Sequence, residues 1–283
     1  MSPNTKGAAL MSLSTACYVV SDVFMKHLSK EIDMFQLTLL RGVLVTLILL
    51  ASCFVLRIPL NIFKNKDRTI ILIRSVFEVI MIYSFLTALF NMNIANAISF
   101  LQLVPLIVLF GSSVFLGKKL KQWEMVAVFL GLIGAIIVIR PGANDFNFYS
   151  IFALIAAVCL SSRDLITVNL NKEIPSIVIA FYSSLLITVV SFFLSFKEIE
   201  ISEINNPIYI IYSALLVSVG YISNVAAMRF GKVTFVSPFR YTALLWAIAM
   251  GYLFFSEIPK LTTIFGGIII IFAGVYLVYK EKR

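Results

Sequence analysis

The amino-acid sequence predicts an all-α integral membrane protein, with ten transmembrane helices arranged as two inverted five-helix repeats. Three observations lead to this fold class: an apolar composition, ten long apolar runs, and an internal similarity between the two halves of the chain. Of the 283 residues, 60% are apolar and only 13% are charged, where a soluble protein carries about 25% charged residues. A soluble fold of this size could not bury so much apolar surface. The composition therefore excludes a disordered chain, a nucleic-acid-binding module and an ordinary cytosolic enzyme.

The apolar runs have the length of membrane-spanning helices. A spanning helix needs about 20 mostly apolar residues, and short polar or Gly/Pro clusters mark where one run ends and the next begins. The runs are continuous and do not alternate in polarity, which favours helices over the strands of a barrel. Ten spans are predicted, over 7–28, 34–56, 69–90, 94–117, 123–139, 147–169, 176–196, 207–229, 233–255 and 261–279.

The distribution of Lys and Arg predicts the orientation. If the N-terminus is cytoplasmic, 14 of these residues lie in cytoplasmic segments and 5 in external ones. Cytoplasmic connections carry an excess of positive charge. We therefore expect a multi-pass protein of the bacterial inner (plasma) membrane, with both termini in the cytoplasm.

The second half of the chain repeats the first. A shift of 142 residues places Asp22 on Asp164, and it places the tripeptide 30–32 on the identical tripeptide 172–174. The sequence thus predicts two repeats, 1–142 and 143–283. Five spans is an odd number, so the second repeat enters the membrane in the opposite direction. This plan is common in alternating-access transporters, whose substrate site lies near the midplane between the halves.

Short motifs recur in order along both halves. They are Ala97-Ile98-Ser99-Phe100-Leu101-Gln102-Leu103-Val104-Pro105, Val138-Ile139-Arg140-Pro141-Gly142, Pro238-Phe239-Arg240-Tyr241-Thr242 and Phe255-Ser256-Glu257. Their order and spacing resemble the drug/metabolite transporter superfamily, specifically its ten-helix EamA type, over nearly the whole chain. Two turns depart from the family pattern, where Lys118 and Ser256 replace the usual Glu and Gly.

The resemblance implies a function. It points to a secondary active transporter that moves a small organic metabolite across the bacterial inner membrane by alternating access. The segments 163–165 and 239–242 further resemble a branch of vitamin and metabolite importers. A riboflavin or similar vitamin importer is therefore an alternative.

Charged side chains inside the spans are the first candidates for gating or coupling. Each costs about 2.5–3.5 kcal/mol to insert and so faces a cavity or a partner. The seven are Asp22, Arg41, Arg74, Glu78, Arg163, Asp164 and Arg240. Arg74 and Glu78 are four residues apart and can pair on one helix face. They either neutralise each other or form a gating or coupling pair.

The other intramembrane charges are expected nearer the membrane surfaces. Asp22 lies toward the outer end of its span and Asp164 toward the inner end of its own. We expect the two to be too far apart to share one site, with each serving as a gate or helix contact on its own side. Arg163 is expected to extend to the inner surface, and Arg41 is close enough to a span end to reach headgroups or loops.

The predicted substrate-binding residues centre on Arg240, which follows Pro238 within its span. Arg240 is expected to point into a central cavity and to contact the substrate, or Glu78 when the site is empty. Gln102 and Tyr241 occupy equivalent positions near the middle of their spans. An arginine, an amide and a phenol suit a planar or anionic organic solute. Further expected lining residues are Phe239, Trp246, Tyr83 and Asn96; the alternative for the aromatic ones is packing in the core or against lipid.

Two other classes of membrane protein were weighed. An intramembrane lipid-modifying enzyme needs a polar catalytic cluster, but the chain has one histidine and neither a His-Glu-x-x-His nor a Gly-x-Ser-x-Gly motif. A primary pump is excluded within this chain because it has no Gly-x-x-x-x-Gly-Lys loop. We therefore expect no enzyme, no catalytic or metal-binding residue and no cofactor. The expected partners are a small organic solute and membrane lipid, without nucleic acid, and the protein is expected to be a monomer or a homodimer.

Overall fold

The computed structural model describes residues 2–60, 65–92, 94–117, 119–139, 148–195, 206–255 and 261–281. Every regular element within these ranges is helical. The helices are α1 (Pro3–Leu28), α2 (Met34–Val55), α3 (Asn65–Asn91), α4 (Ile94–Leu101), α5 (Val104–Leu116), α6 (Gln122–Ile139), α7 (Tyr149–Thr167), α8 (Ser176–Ser195), α9 (Ile208–Phe230), α10 (Val233–Val236), α11 (Thr242–Phe255) and α12 (Leu261–Glu281), with a 3₁₀ helix over Ser237–Tyr241. The predicted boundary between repeats, at residues 142 and 143, lies outside the described residues.

The helices have the length and composition of membrane spans. Seven stretches in the described ranges are long and apolar enough to cross a bilayer, and three shorter apolar helices accompany them. Large apolar side chains cover the outer surface, with Phe54 72% exposed and Phe193 73% exposed. Small polar side chains lie inside, where Ser21 and Ser213 join α1 to α9 by a 2.7 Å hydrogen bond between their hydroxyls. The prediction of an all-α membrane protein is confirmed.

Two of the predicted spans are broken helices. The span predicted at 94–117 consists of α4 and α5, and the one predicted at 233–255 consists of α10, the 3₁₀ helix and α11. Pro105 lies at the start of α5 and Pro238 at the start of the 3₁₀ helix. Proline has no backbone N–H to donate and clashes with the preceding helical turn, so it interrupts a span at these points.

The main helix contacts follow a twofold pattern between the halves. The most extensive contacts join α1 to α9, α6 to α12, α3 to α7 and α2 to α8. If α1, α2, α3 and α6 correspond to α7, α8, α9 and α12, exchanging the halves converts the α1–α9 contact into the α7–α3 contact. The other two contacts map onto themselves. The two five-span halves therefore pack face to face as an inverted pair.

Candidate functional site

A cavity of about 100 Å³ lies between the two halves. It draws its walls from α1, α2, α3, α4, α7, α9 and α11 and from both helix breaks. Gln102 follows the end of α4, and Arg240 belongs to the 3₁₀ helix. The polar and aromatic lining residues are Thr15, Tyr18, Asp22, Arg41, Glu78, Phe85, Gln102, Arg163, Tyr221 and Arg240, and aliphatic side chains complete the walls.

Arg163 is the centre of a buried ion-pair network at this cavity. Its Nη1 donates to Glu78 Oε1 at 2.6 Å, and its Nη2 donates to Asp164 Oδ1 at 2.9 Å and to Asn224 Oδ1 at 3.0 Å. Asp164 Oδ2 in turn accepts a hydrogen bond from Arg240 Nη2. Because Glu78 belongs to the first half and Arg163 to the second, this network ties the halves together.

Arg74 extends the network by one helical turn toward the face of the membrane at which α3 begins. Its Nη2 lies 3.5 Å from Glu78 Oε2. Its other donors reach the second half, with Nε bonded to Thr167 Oγ1 at 2.9 Å and Nη1 bonded to the Ser183 hydroxyl. Arg74 and Glu78 do pair, as their spacing predicts. Arg74 also forms most of its hydrogen bonds across the interface between the halves.

The network is almost completely removed from solvent. Arg74, Glu78, Arg163 and Asp164 are each at most 2% exposed. Removing one partner of a buried ion pair leaves an uncompensated charge, which costs about 3–5 kcal/mol. We therefore expect the loss of any one member of the network to destabilise the protein.

Several buried polar atoms at the cavity have no hydrogen-bond partner within the described part of the chain. They are Tyr18 OH, Gln102 Oε1 and Arg240 Nε, whereas Glu78 Oε2, which also has no hydrogen bond, is in an ion pair with Arg74 Nη2 at 3.5 Å. Buried polar groups are nearly always hydrogen-bonded, and each exception needs an explanation. These atoms all belong to residues that line one cavity.

Three expectations about the intramembrane charges are wrong. Arg163 does not extend to the surface, and Arg41, 4% exposed, lines the cavity instead of reaching headgroups. Arg240 forms its ion pair with Asp164 and not with Glu78, because Glu78 is paired with Arg163. Asp22 lines the cavity, whereas Asp164 is not among its lining residues and contacts it only through Arg163 and Arg240. The expectation that the two carboxylates act apart from each other stays a prediction.

The aromatic candidates do not line this cavity. Tyr241 is buried and donates from its hydroxyl to Val128 O at 3.0 Å, so it serves packing against α6. Phe239 lies against Phe235, with ring centroids 5.8 Å apart. Tyr83 is bonded to Ser191 at 2.7 Å, and Trp246 is 39% exposed. These four rings therefore agree with the alternative interpretation, in which aromatic residues pack in the core or against lipid. The side chain of Asn96 lies outside the described residues.

Sequence reasoning missed Tyr18 and Tyr221 as cavity residues. A signal for Tyr18 was present, because Thr15, Tyr18 and Asp22 follow the spacing of one helix face. All three line the cavity. Tyr221 has no comparable signal, since its span, α9, carries no intramembrane charge near it.

The family of the chain follows from comparison with known proteins. The EamA-like transporter family matches residues 5–140 and again residues 147–280. The chain belongs to this family. A solved crystal structure shares the fold, with a TM-score of 0.78 over 99% of this chain and 98% of its own, at 14% identity.

Curated relatives are named as transporters of different small molecules. The S-adenosylmethionine uptake transporter of Rickettsia bellii is 24% identical, over 98% of this chain and 94% of its own. The pseudopaline exporter CntI of Pseudomonas aeruginosa is 21% identical, over 98% of this chain and 97% of its own. The riboflavin transporter of Vibrio cholerae is 27% identical, over 75% of this chain and 72% of its own. This member of the EamA-like family is therefore a small-molecule membrane transporter and not an enzyme.

Proposed function

We propose that the chain is a secondary active transporter that moves a small organic metabolite across the bacterial inner membrane by alternating access. The central cavity is its binding site. The observation that supports this most strongly is the set of three unpartnered buried polar atoms, on Tyr18, Gln102 and Arg240, around one cavity between the halves. A ligand that satisfies these atoms stabilises the bound state, which offsets the cost of burying them.

The charges around the cavity define the kind of metabolite. Four arginines face three carboxylates among the intramembrane charges, so one positive charge is in excess. A guanidinium stays protonated even when buried, which favours a solute with an anionic group near Arg41 or Arg240. The Gln102 Oε1 acceptor, which has no hydrogen-bond partner among the described residues, and the Asp22 carboxylate in the cavity wall favour a donor group on the same solute. We infer an amphoteric solute that carries both an anionic group and a hydrogen-bond-donating or cationic group.

The relatives differ in how well their named solutes meet this requirement. S-adenosylmethionine carries an amino group, a carboxylate and a sulfonium, so it is amphoteric. Riboflavin carries no such charge pair, and its named transporter covers less of this chain. A solute with an amino-acid group is therefore our first candidate, and riboflavin the second.

The interface between the halves supplies the elements that alternating access needs. Glu78 and Arg163 line the cavity, while Arg74, Thr167 and Ser183 continue the contact toward the face at which α3 begins. We propose that this contact closes the cavity toward that face and that it opens when the Glu78–Arg163 pair separates. The breaks at Gln102 and around Pro238 let short helices move without unfolding whole spans.

A binding screen tests the proposed ligand chemistry. We would measure the thermal midpoint of the purified protein in detergent with S-adenosylmethionine, methionine, riboflavin, a monocarboxylate and a monoamine. The proposal expects a concentration-dependent rise with an amphoteric solute, and no rise when that solute is added to Gln102→Leu. A rise that is unchanged in Gln102→Leu, or one confined to singly charged solutes, would contradict it.

A further inference from the structure

A second pocket, distant from the central cavity, lies where α1 begins. It has a volume of about 390 Å³, and its walls are the start of α1, the connection after α7 and the turn between α9 and α10. Three of its lining residues are the cations Lys172, Arg229 and Lys232, and none is acidic. We call it the basic pocket. It is separate from the proposed transport site, since the two share no lining residue.

Arg229 is held in place inside the basic pocket by neutral partners. Its Nη1 donates to Ser176 Oγ at 3.1 Å and its Nη2 to Asn171 O at 2.8 Å. Its Nε is buried and has no hydrogen-bond partner within the described ranges. The guanidinium is thus fixed in orientation, while its charge is matched by no carboxylate of the described chain.

Two acidic residues lie close to the basic pocket through their contacts with Asn171. Glu173 accepts from the Asn171 side-chain amide at 3.3 Å, and Asp67 accepts from the Asn171 backbone N–H at 3.4 Å. Neither lines the basic pocket. A fourth cation adds to the charge at its edge, since Lys6 Nζ lies 4.4 Å from the centre of the Phe230 ring, and Phe230 is a wall of the pocket.

The walls of the basic pocket are fixed by close backbone contacts between the two halves. Asn4 Oδ1 accepts from Lys232 N at 2.7 Å. A Cβ on Gly7 would lie 2.8 Å from Val236 and 3.1 Å from Ala227 O, and a Cβ on Gly231 would lie 3.4 Å from the Asn4 Cα. The start of α1 therefore sits directly on the turn between α9 and α10, and the pocket is formed by both halves together.

We propose that the basic pocket binds a phosphate group, as carried by the headgroup of an anionic membrane lipid. Basic pockets between helix ends at the membrane surface are suited to anionic headgroups. The apolar walls Val168, Leu170, Met228 and the 51% exposed Phe230 match the first carbons of the attached lipid. Because α1 and the second half both contribute, the bound phosphate stabilises the arrangement in which they are docked.

The test is a titration of the full chain in detergent micelles. Phosphatidylglycerol is added, with phosphatidylcholine as the neutral comparison and glycerol 3-phosphate as a soluble phosphate ester, and the thermal midpoint is recorded. The variant is Lys172→Gln/Lys232→Gln, since both side chains are exposed and their loss leaves the core intact. The matched control is Lys119→Gln/Lys121→Gln, which removes two exposed cations elsewhere.

We expect phosphatidylglycerol to raise the midpoint of the wild type and of the control. In the pocket variant, the phosphatidylglycerol concentration needed for the same rise in midpoint should increase roughly 30-fold, because two basic residues next to the anionic headgroup are lost. Arg229→Gln should weaken the effect in the same way.

The titration with glycerol 3-phosphate shows whether the bound phosphate group belongs to a lipid or to a soluble ester. A rise with the lipid alone identifies a lipid site, and an equal rise with glycerol 3-phosphate identifies a site for soluble phosphate esters. Both results support phosphate recognition as long as the pocket variant loses them. An equal effect of phosphatidylglycerol on the pocket variant and on the control, or no effect on the wild type, would overturn the proposal.

Discussion

Glu78 Oε1 lies 2.6 Å from Arg163 Nη1, and the two residues come from opposite halves of the chain. They are 85 residues apart in sequence, and both line the central cavity. Their ion pair thus connects the proposed substrate site to the interface between the two halves. The same arginine also holds Asp164, which holds Arg240. We therefore expect a change at any of these residues to affect both substrate binding and the contact between the halves.

Arg163→Gln should be the most destabilising single change in the network. It leaves the carboxylates of Glu78 and Asp164 both short of a partner in a buried setting, at a cost of about 3–5 kcal/mol. The measurement is the loss of thermal stability in detergent. The double variant Arg163→Gln/Glu78→Gln should be more stable than Arg163→Gln alone, because one uncompensated charge is gone. A loss in the double variant equal to the sum of the two single losses would contradict the pairing.

Arg240→Gln should weaken substrate binding more than folding. Asp164 keeps Arg163 as a partner, so the fold retains that carboxylate's main contact. A charged hydrogen bond to the substrate through Nε contributes enough that its loss weakens affinity about 10- to 100-fold. Ligand affinity and thermal stability are measured on the same preparation. Unchanged affinity with a large loss of stability would make Arg240 a structural residue.

Two tyrosine variants distinguish a tyrosine that lines the cavity from one that packs in the core. Tyr18→Phe removes a buried hydroxyl that has no partner in the described chain, so stability should be unchanged or slightly higher, while affinity falls. Tyr241→Phe removes the hydroxyl that donates to Val128 O, so stability should fall by about 1 kcal/mol with affinity unchanged. The two phenotypes together check the placement of both rings. The reverse pattern would show that Tyr241 faces the substrate.

The predicted orientation can be tested with single cysteines. Cys17, Cys53 and Cys159 are free and buried, and replacing them with alanine gives a background for labelling. The excess of Lys and Arg on one side of the membrane predicts that Lys30→Cys reacts with an impermeant thiol reagent in intact cells. Lys119→Cys should react only after the cells are permeabilised. Labelling of Lys119→Cys in intact cells would reverse the orientation.

The fold was predictable from the sequence to a large extent, and the site only in part. Apolar runs of span length, with prolines at 105 and 238, are local signals, so the helices and their two breaks lie where those signals fall. The Asp164–Arg240 pair joins residues 76 apart, and no local pattern encodes which helix faces which. No acid lies within one helical turn of Arg240 in the sequence, so the expected partner in the empty site was the distant Glu78. Aromatic character alone gave no signal, because in a bilayer the same ring suits lipid, core or ligand; only the position of Tyr18 on the helix face of Thr15 and Asp22 pointed to the cavity.

Solute exchange in proteoliposomes is the direct test of whether the central cavity is the transport site. Purified wild type, Arg240→Gln and Tyr241→Phe are reconstituted, and the vesicles are loaded with an unlabelled solute from the binding screen. Entry of the labelled solute is then followed without ATP. The account predicts saturable exchange by the wild type and by Tyr241→Phe at similar rates, and a large loss of exchange in Arg240→Gln despite equal incorporation. Exchange by Arg240→Gln at the wild-type rate and affinity would contradict the assignment of the central cavity as the transport site.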